Sequence, residues 1–181
     1  MELKIISAIE EQIAVHFTGK LNILSKFNRQ YLGHLTFESG EIIKVSFQSQ
    51  KGMKAFFQII IQEFSLNSFV YVVEPEIVDG FERDIYIPYA LLKNKLGEVL
   101  KLYQESVKLR PPDNVKITIS TEFMASSQNI SHEEFEVLLT LTEWSNPYDI
   151  YQQCSLLDHE ITMALVELRK KKALKILSAV T

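Results

Sequence analysis

Between Gly19 and Phe69 the chain sets glycines at intervals through apolar, β-prone sequence and then runs directly into a helix. That spacing leaves few options: short antiparallel strands joined by tight turns, with a helix covering one face of the sheet. Gly19, Gly33, Gly40 and Gly52 are expected to serve as structural turn glycines. Tyr31, Gly33, Leu35 and Phe37 share one face of a strand, and Ile43, Val45 and Phe47 share one face of the next. A three-residue loop, Glu38-Ser39-Gly40, pairs Leu35 with Ile43 and Tyr31 with Phe47, and sets Gly40 in the left-handed conformation that such a loop requires. A two-residue loop would place Lys44 opposite Leu35. Residues 52–64 then carry Met53, Phe56, Phe57, Ile60 and Phe64 at helical spacing, with Ala55 and Ile59 outside that stripe.

The flanking sequence extends this pattern. Residues 4–8 and 12–18 alternate apolar with polar side chains and predict two strands separated by Ile9-Glu10-Glu11; residues 20–24 and 66–73 predict two more. Residues 74–85 are polar and acidic, contain Pro75 and Gly80, and predict a loop. Pro88 suits the first turn of a long helix to residue 109, with Leu92, Leu96, Val99, Tyr103 and Val107 on one side; Arg110-Pro111-Pro112 ends it. The expected fold class is α+β: in residues 1–110, an antiparallel sheet of five or six strands packed against one or two helices.

Residues 111–130 predict a linker that includes a short strand at 115–119 and a Ser/Asn-rich stretch at 121–130. Within 131–181, Ser131-His132-Glu133-Glu134 is a capping box that opens a helix through Trp144. Asn146-Pro147 opens a second helix to residue 153, Asp158 caps a third to residue 172, and residues 174–177 predict a strand. Three short helices with strands at both ends outline a small winged-helix-like domain.

Charge bears on partners. The net charge of −4 argues against a general electrostatic attraction to nucleic acid or anionic membrane. Residues 131–181 hold five Lys/Arg against eight Asp/Glu, so the winged-helix-like part is the acidic one. A single cysteine, Cys154, makes no internal disulfide and points to a reducing compartment. The start Met-Glu-Leu-Lys lacks the features of a signal peptide, and the apolar runs fall far short of the ~20 residues that span a bilayer. A cytoplasmic protein without membrane insertion is expected.

With these elements in place, residues 17–73 resemble the PatA N-terminal-like (PATAN) family. The matching positions are Gly19, Leu21, Gly33, Leu35, Phe37, Gly40, Ile43, Gly52, Ala55, Phe56 and Phe69. Leu91-Leu92 resembles the Leu-Leu pair of a following helix in that family, and residues 134–176 resemble its degenerate winged-helix tail. Family members usually carry a helix between the first two glycine-marked strands, where this chain has only residues 25–30. The resemblance implies a non-catalytic role in bacterial signalling, through binding other proteins, in control of type IV pilus or gliding motility or of polarity. No receiver domain is visible in the chain, so the resemblance implies a stand-alone adaptor as the expectation.

The residues themselves speak against enzyme chemistry. His16, His34, His132 and His159 lie at no metal-ligand spacing, and no glycine-rich phosphate loop precedes a helix, so neither a metal nor a cofactor is expected. Cys154 with His159 lacks an orienting third group. Side chains whose apolar or aromatic character exceeds the needs of a core are the candidates for a protein partner: Ile59, Tyr148, Tyr151 and Met163. Helix 88–109 leaves a homodimer open. The alternative is a winged-helix transcription regulator that places Arg169, Lys170, Lys171, Lys172 and Lys175 on phosphates, although the start of its reading helix, Asp158-His159-Glu160, is acidic. A third expectation is a small-molecule sensor with a pocket between sheet and helix.

Overall fold

The computed structural model describes residues 3–66, 68–78, 83–125 and 128–178, and the chain divides into two units, Met1–Glu98 and Val99–Thr181. The first unit begins with a correction. Residues 4–14 form not strands but a helix, α1 (Lys4–Ala14). Ile5, Ile9 and Gln12 are buried at a spacing of four and three residues, which is one helical face. The helix start is completed from outside: the Glu63 carboxylate accepts a hydrogen bond from the Ile5 amide at 2.9 Å.

Five antiparallel strands follow: β1 (Gly19–Ser25), β2 (Tyr31–Glu38), β3 (Glu41–Phe47), β4 (Gln50–Lys51) and β5 (Phe69–Pro75), in the order β4-β3-β2-β1-β5. Residues 25–30 form a tight turn in which Ser25 donates its amide to the Gln30 carbonyl at 2.8 Å, so β1 and β2 are joined without a helix. The β2–β3 connection departs from expectation. Ser39 and Gly40 both have positive φ, 50° and 82°, and form a two-residue turn that closes the pair Glu38 and Glu41. A bulge then absorbs one residue of β3, so Phe37 faces Ile42 while Thr36 faces Lys44. Leu35 therefore lies opposite Val45 rather than Ile43, and Phe47 opposite Gly33 rather than Tyr31. The bulge restores the parity that a two-residue turn alone would break, and the apolar faces still meet.

Gly33 is not a turn glycine. It sits inside β2, between Ile23 and Phe47, where an added Cβ would lie 2.1 Å from the Ser46 carbonyl oxygen. The helix α2 (Gly52–Leu66) packs on β3 and β4 and is buried on nearly every side, including Ala55, Phe56, Phe57, Ile60 and Ile61. Ile59, expected to lie outside the buried stripe, is 1 % exposed and belongs to the core. The remaining edge of β3 is covered by residues 84–85: the Asp84 and Ile85 amides donate to the Ile43 carbonyl, and Asp84 Oδ1 accepts from the Val45 amide at 3.0 Å. Gly80 lies outside the described residues.

Helix α3 (Tyr89–Val107) contains the boundary between the units. Along its expected apolar side Leu92, Leu96 and Val99 are buried, Tyr103 is half-buried and Val107 is exposed. The second unit comprises β6 (Val115–Ile119), a single helical turn α4 (Thr121–Met124) within the expected linker, α5 (His132–Leu141), α6 (Pro147–Gln153), α7 (Asp158–Lys170) and β7 (Leu174–Ser178). β6 and β7 form an antiparallel pair with Ile117 opposite Ile176. Both halves of the Ser131–Glu134 capping box are present, and Asn146 Oδ1 accepts from the Tyr148 amide at 2.8 Å. α5 stops at Leu141 rather than Trp144, and α7 at Lys170. Asp158 is the first residue of α7 and not its cap; the Leu157 amide is held by the Glu160 carboxylate at 2.8 Å. Tyr151, a candidate for partner contact, is 1 % exposed and packs in this unit's core with Val137, Ile150, Ile161 and Leu165.

Candidate protein-docking groove

Of the four side chains expected to meet a partner, Tyr148 and Met163 reach the surface, at 56 % and 44 % exposure. Tyr151 is locked from both ends. Its hydroxyl bonds the Thr162 hydroxyl at 2.7 Å, and the Arg110 guanidinium lies 4.0 Å from its ring centroid. Burial pushes the phenol up to about 12. Arg110 also approaches the Asp158 carboxylate to 3.8 Å, so a residue expected only to end a helix ties α6 to α7.

Met163 lies in a groove of about 750 Å³. α7 contributes His159, Glu160, Met163, Ala164 and Glu167; α5 and its lead-in contribute Ile130, Ser131, Glu133 and Glu134; Leu102 comes from the second half of α3. Helical spacing explains the α7 set, since residues 160, 163, 164 and 167 share one face. The exposed Leu102, Ile130 and Met163 give the groove an apolar content. Its charge is acidic: four glutamates against Lys171, with Glu134 paired to that lysine and Glu167 to Lys170. Lys171 is held by the buried Glu134 at 2.6 Å and by the Asn129 carbonyl at 2.9 Å. Tyr148 is not among the residues that line the groove.

The basic cluster considered for DNA is largely neutralised. Lys170 pairs with Glu167 at 2.6 Å, Lys171 with Glu134 and Lys175 with Glu122 at 3.0 Å. Hydrogen bonds from Ser120, from its own amide and from Lys175 hold the Glu122 carboxyl down to about 2. Arg169 and Lys172 have no ion pair among the described residues.

Cys154 is buried at the C-terminal end of α6. Among the described residues no three His, Cys, Asp or Glu side chains converge as a metal site, and no helix is long and apolar enough to cross a membrane. The glutamates of the groove escape residue-by-residue inspection, because each reads as an ordinary solvated helix position; only the acidic balance of residues 131–181 hinted at them. The chain matches no protein-family model, no curated protein and no solved structure.

Proposed function

We propose that this protein is a non-enzymatic adaptor whose C-terminal unit holds a basic, amphipathic segment of a partner protein. The observation that carries this function is the groove along α7: exposed apolar side chains at Met163, Leu102 and Ile130 inside an acidic rim of Glu133, Glu160 and Glu167, the last paired with Lys170. An apolar floor anchors side chains of the partner, while the acidic rim selects lysine- and arginine-bearing segments and speeds their approach. The glycine and apolar positions shared with the PatA N-terminal-like family support placing the adaptor in cytoplasmic bacterial signalling, in control of type IV pilus, gliding motility or polarity. Pairing of Lys170, Lys171 and Lys175 within the unit leaves little charge for DNA phosphates, which disfavours a winged-helix regulator.

The test uses a short Lys/Leu amphipathic helical peptide and its Glu/Leu counterpart, titrated by fluorescence anisotropy. The basic peptide binds, the acidic one does not, and affinity falls with salt. Reversing two rim charges together, Glu133→Lys with Glu167→Lys, weakens binding at least tenfold, about 1.4 kcal/mol. Equal affinity of the double variant removes the groove as the docking site. Salt-sensitive binding to mixed DNA fragments, abolished by Arg169→Ala with Lys172→Ala, moves the protein to the regulators.

A further inference from the structure

The register of the sheet in the N-terminal unit gathers cations on the face opposite the apolar core. Thr36 pairs with Lys20 on one side and Lys44 on the other, so the three side chains form one row across β1, β2 and β3. Asn22, His34 and Ser46 form the next row. Lys20 and Lys44 are two strand spacings apart at the backbone, about 9.6 Å, a span that their flexible stems close easily. Thr36 is 4 % exposed, and its hydroxyl is buried without a hydrogen-bond partner among the described residues. An unpaired buried hydroxyl is costly, and a bound acceptor would recover that cost.

Thr36 lines a cavity of about 210 Å³ with Lys20, His34, Lys44 and Glu76. His34 and Lys44 also line a neighbouring cavity of about 550 Å³, completed by Ser46, Lys51, Arg83 and Asp84. Among the described residues the two linings hold Lys20, Lys44, Lys51 and Arg83 against Glu76 and Asp84, and Glu74 on β5 stands opposite Lys20. Glu76 pairs with Lys20 at 2.7 Å, so an incoming phosphoryl group competes with that carboxylate for the lysine, and Asp84 accepts the Val45 amide at 3.0 Å. Arg83 is held by Glu38 at 2.7 Å and Glu41 at 3.3 Å. Burial, and then the positive charge of Lys20, lowers the His34 pKa, so its ring is neutral near pH 7; its Nδ1 faces the Tyr31 hydroxyl.

We propose that this face binds a small phosphate monoester of a polyol or sugar. The phosphoryl group sits over Thr36 between Lys20 and Lys44, and the polar remainder occupies the larger cavity beside Ser46, Lys51 and Asp84. A tetrahedral dianion accepts from several directions at once, which matches two ammonium groups and a hydroxyl better than a planar carboxylate does. Nothing in this site depends on the groove of the C-terminal unit.

Titration of the full chain with inorganic phosphate and with ribose 5-phosphate, followed by amide NMR and calorimetry, tests it. The sugar phosphate binds more tightly than phosphate alone, and the shifts centre on residues 20, 34, 36 and 44. Thr36→Val, which removes a hydroxyl without a partner, leaves thermal stability equal or higher while weakening sugar-phosphate binding about tenfold; Lys44→Met weakens it similarly. Vesicles containing phosphatidic acid form the second arm, and binding to them in place of the soluble ester assigns the phosphoryl group to a lipid. No binding of either phosphate at tens of millimolar, or binding unchanged in both variants, overturns the proposal.

Discussion

Glu63→Ala destabilises the N-terminal unit by about 3 kcal/mol and strips protection from the amides of α1. Glu63 is 3 % exposed, and both of its oxygens are used. One accepts from the Ile5 amide at 2.9 Å and the other from the Tyr71 hydroxyl at 2.7 Å. The first contact stands in for a missing cap, because the residue before α1 is Leu3, whose side chain has no acceptor. The carboxylate also faces the positive end of the helix dipole. On the other side, burial and the hydrogen bond to Glu63 push the Tyr71 phenol well above its usual range, so it remains a donor at any practical pH. Alanine leaves an amide and a hydroxyl buried and unpaired, together with a cavity. Glutamine keeps the shape: its carbonyl can accept from Ile5 while its amide donates to the Tyr71 oxygen, so only the charge is lost, about 1 kcal/mol. Hydrogen exchange of the α1 amides, with denaturant unfolding of both variants, checks the ordering. Unchanged α1 protection in Glu63→Ala would show that the helix does not need this cap.

That contact also marks where sequence reasoning stops. β1, β2, β3, β5, α2, β6 and the two helix caps at Ser131 and Asn146 are legible because their signals are local: turn glycines, alternation and capping residues; the two-residue β4 carries no such signal. α1 is not, because its isoleucines suit a short strand or a helix, and the choice is made by a carboxylate 58 residues away in sequence. The β2–β3 register is missed for a related reason: a bulge costs one residue and leaves no compositional trace. Ile59 and Tyr151 read in sequence as surplus to a core, yet α2 is buried on almost all sides and Tyr151 is clamped by Arg110, and neither fact follows from periodicity. Met163 was legible as an exposed apolar position, but the glutamates around it acquire meaning only when α5 and α7 are brought together.

Gly33→Ala is expected to cost about 3 kcal/mol or more, while the same substitution at Gly97 stabilises by roughly 0.5–1 kcal/mol. The contrast isolates packing from conformational freedom. Gly97 lies exposed within α3 with nothing within 4 Å of an added Cβ, so alanine only reduces the entropy of the unfolded chain and favours helix. At Gly33 an added Cβ would meet the Ser46 carbonyl oxygen at 2.1 Å and the Phe47 Cα at 2.7 Å. Both obstacles are backbone of β3, and no side chain can rotate away to relieve them. The strands would have to part where Gly33 faces Phe47, whose ring packs edge-on against Phe69 at 5.6 Å. Separation there also disturbs the adjacent row of Asn22, His34 and Ser46, so Gly33→Ala weakens sugar-phosphate binding along with stability. Far-ultraviolet circular dichroism through a thermal ramp reads the first effect, and calorimetry well below the transition reads the second. A Gly33→Ala protein as stable as its parent would mean that β2 and β3 do not approach as closely as the register requires.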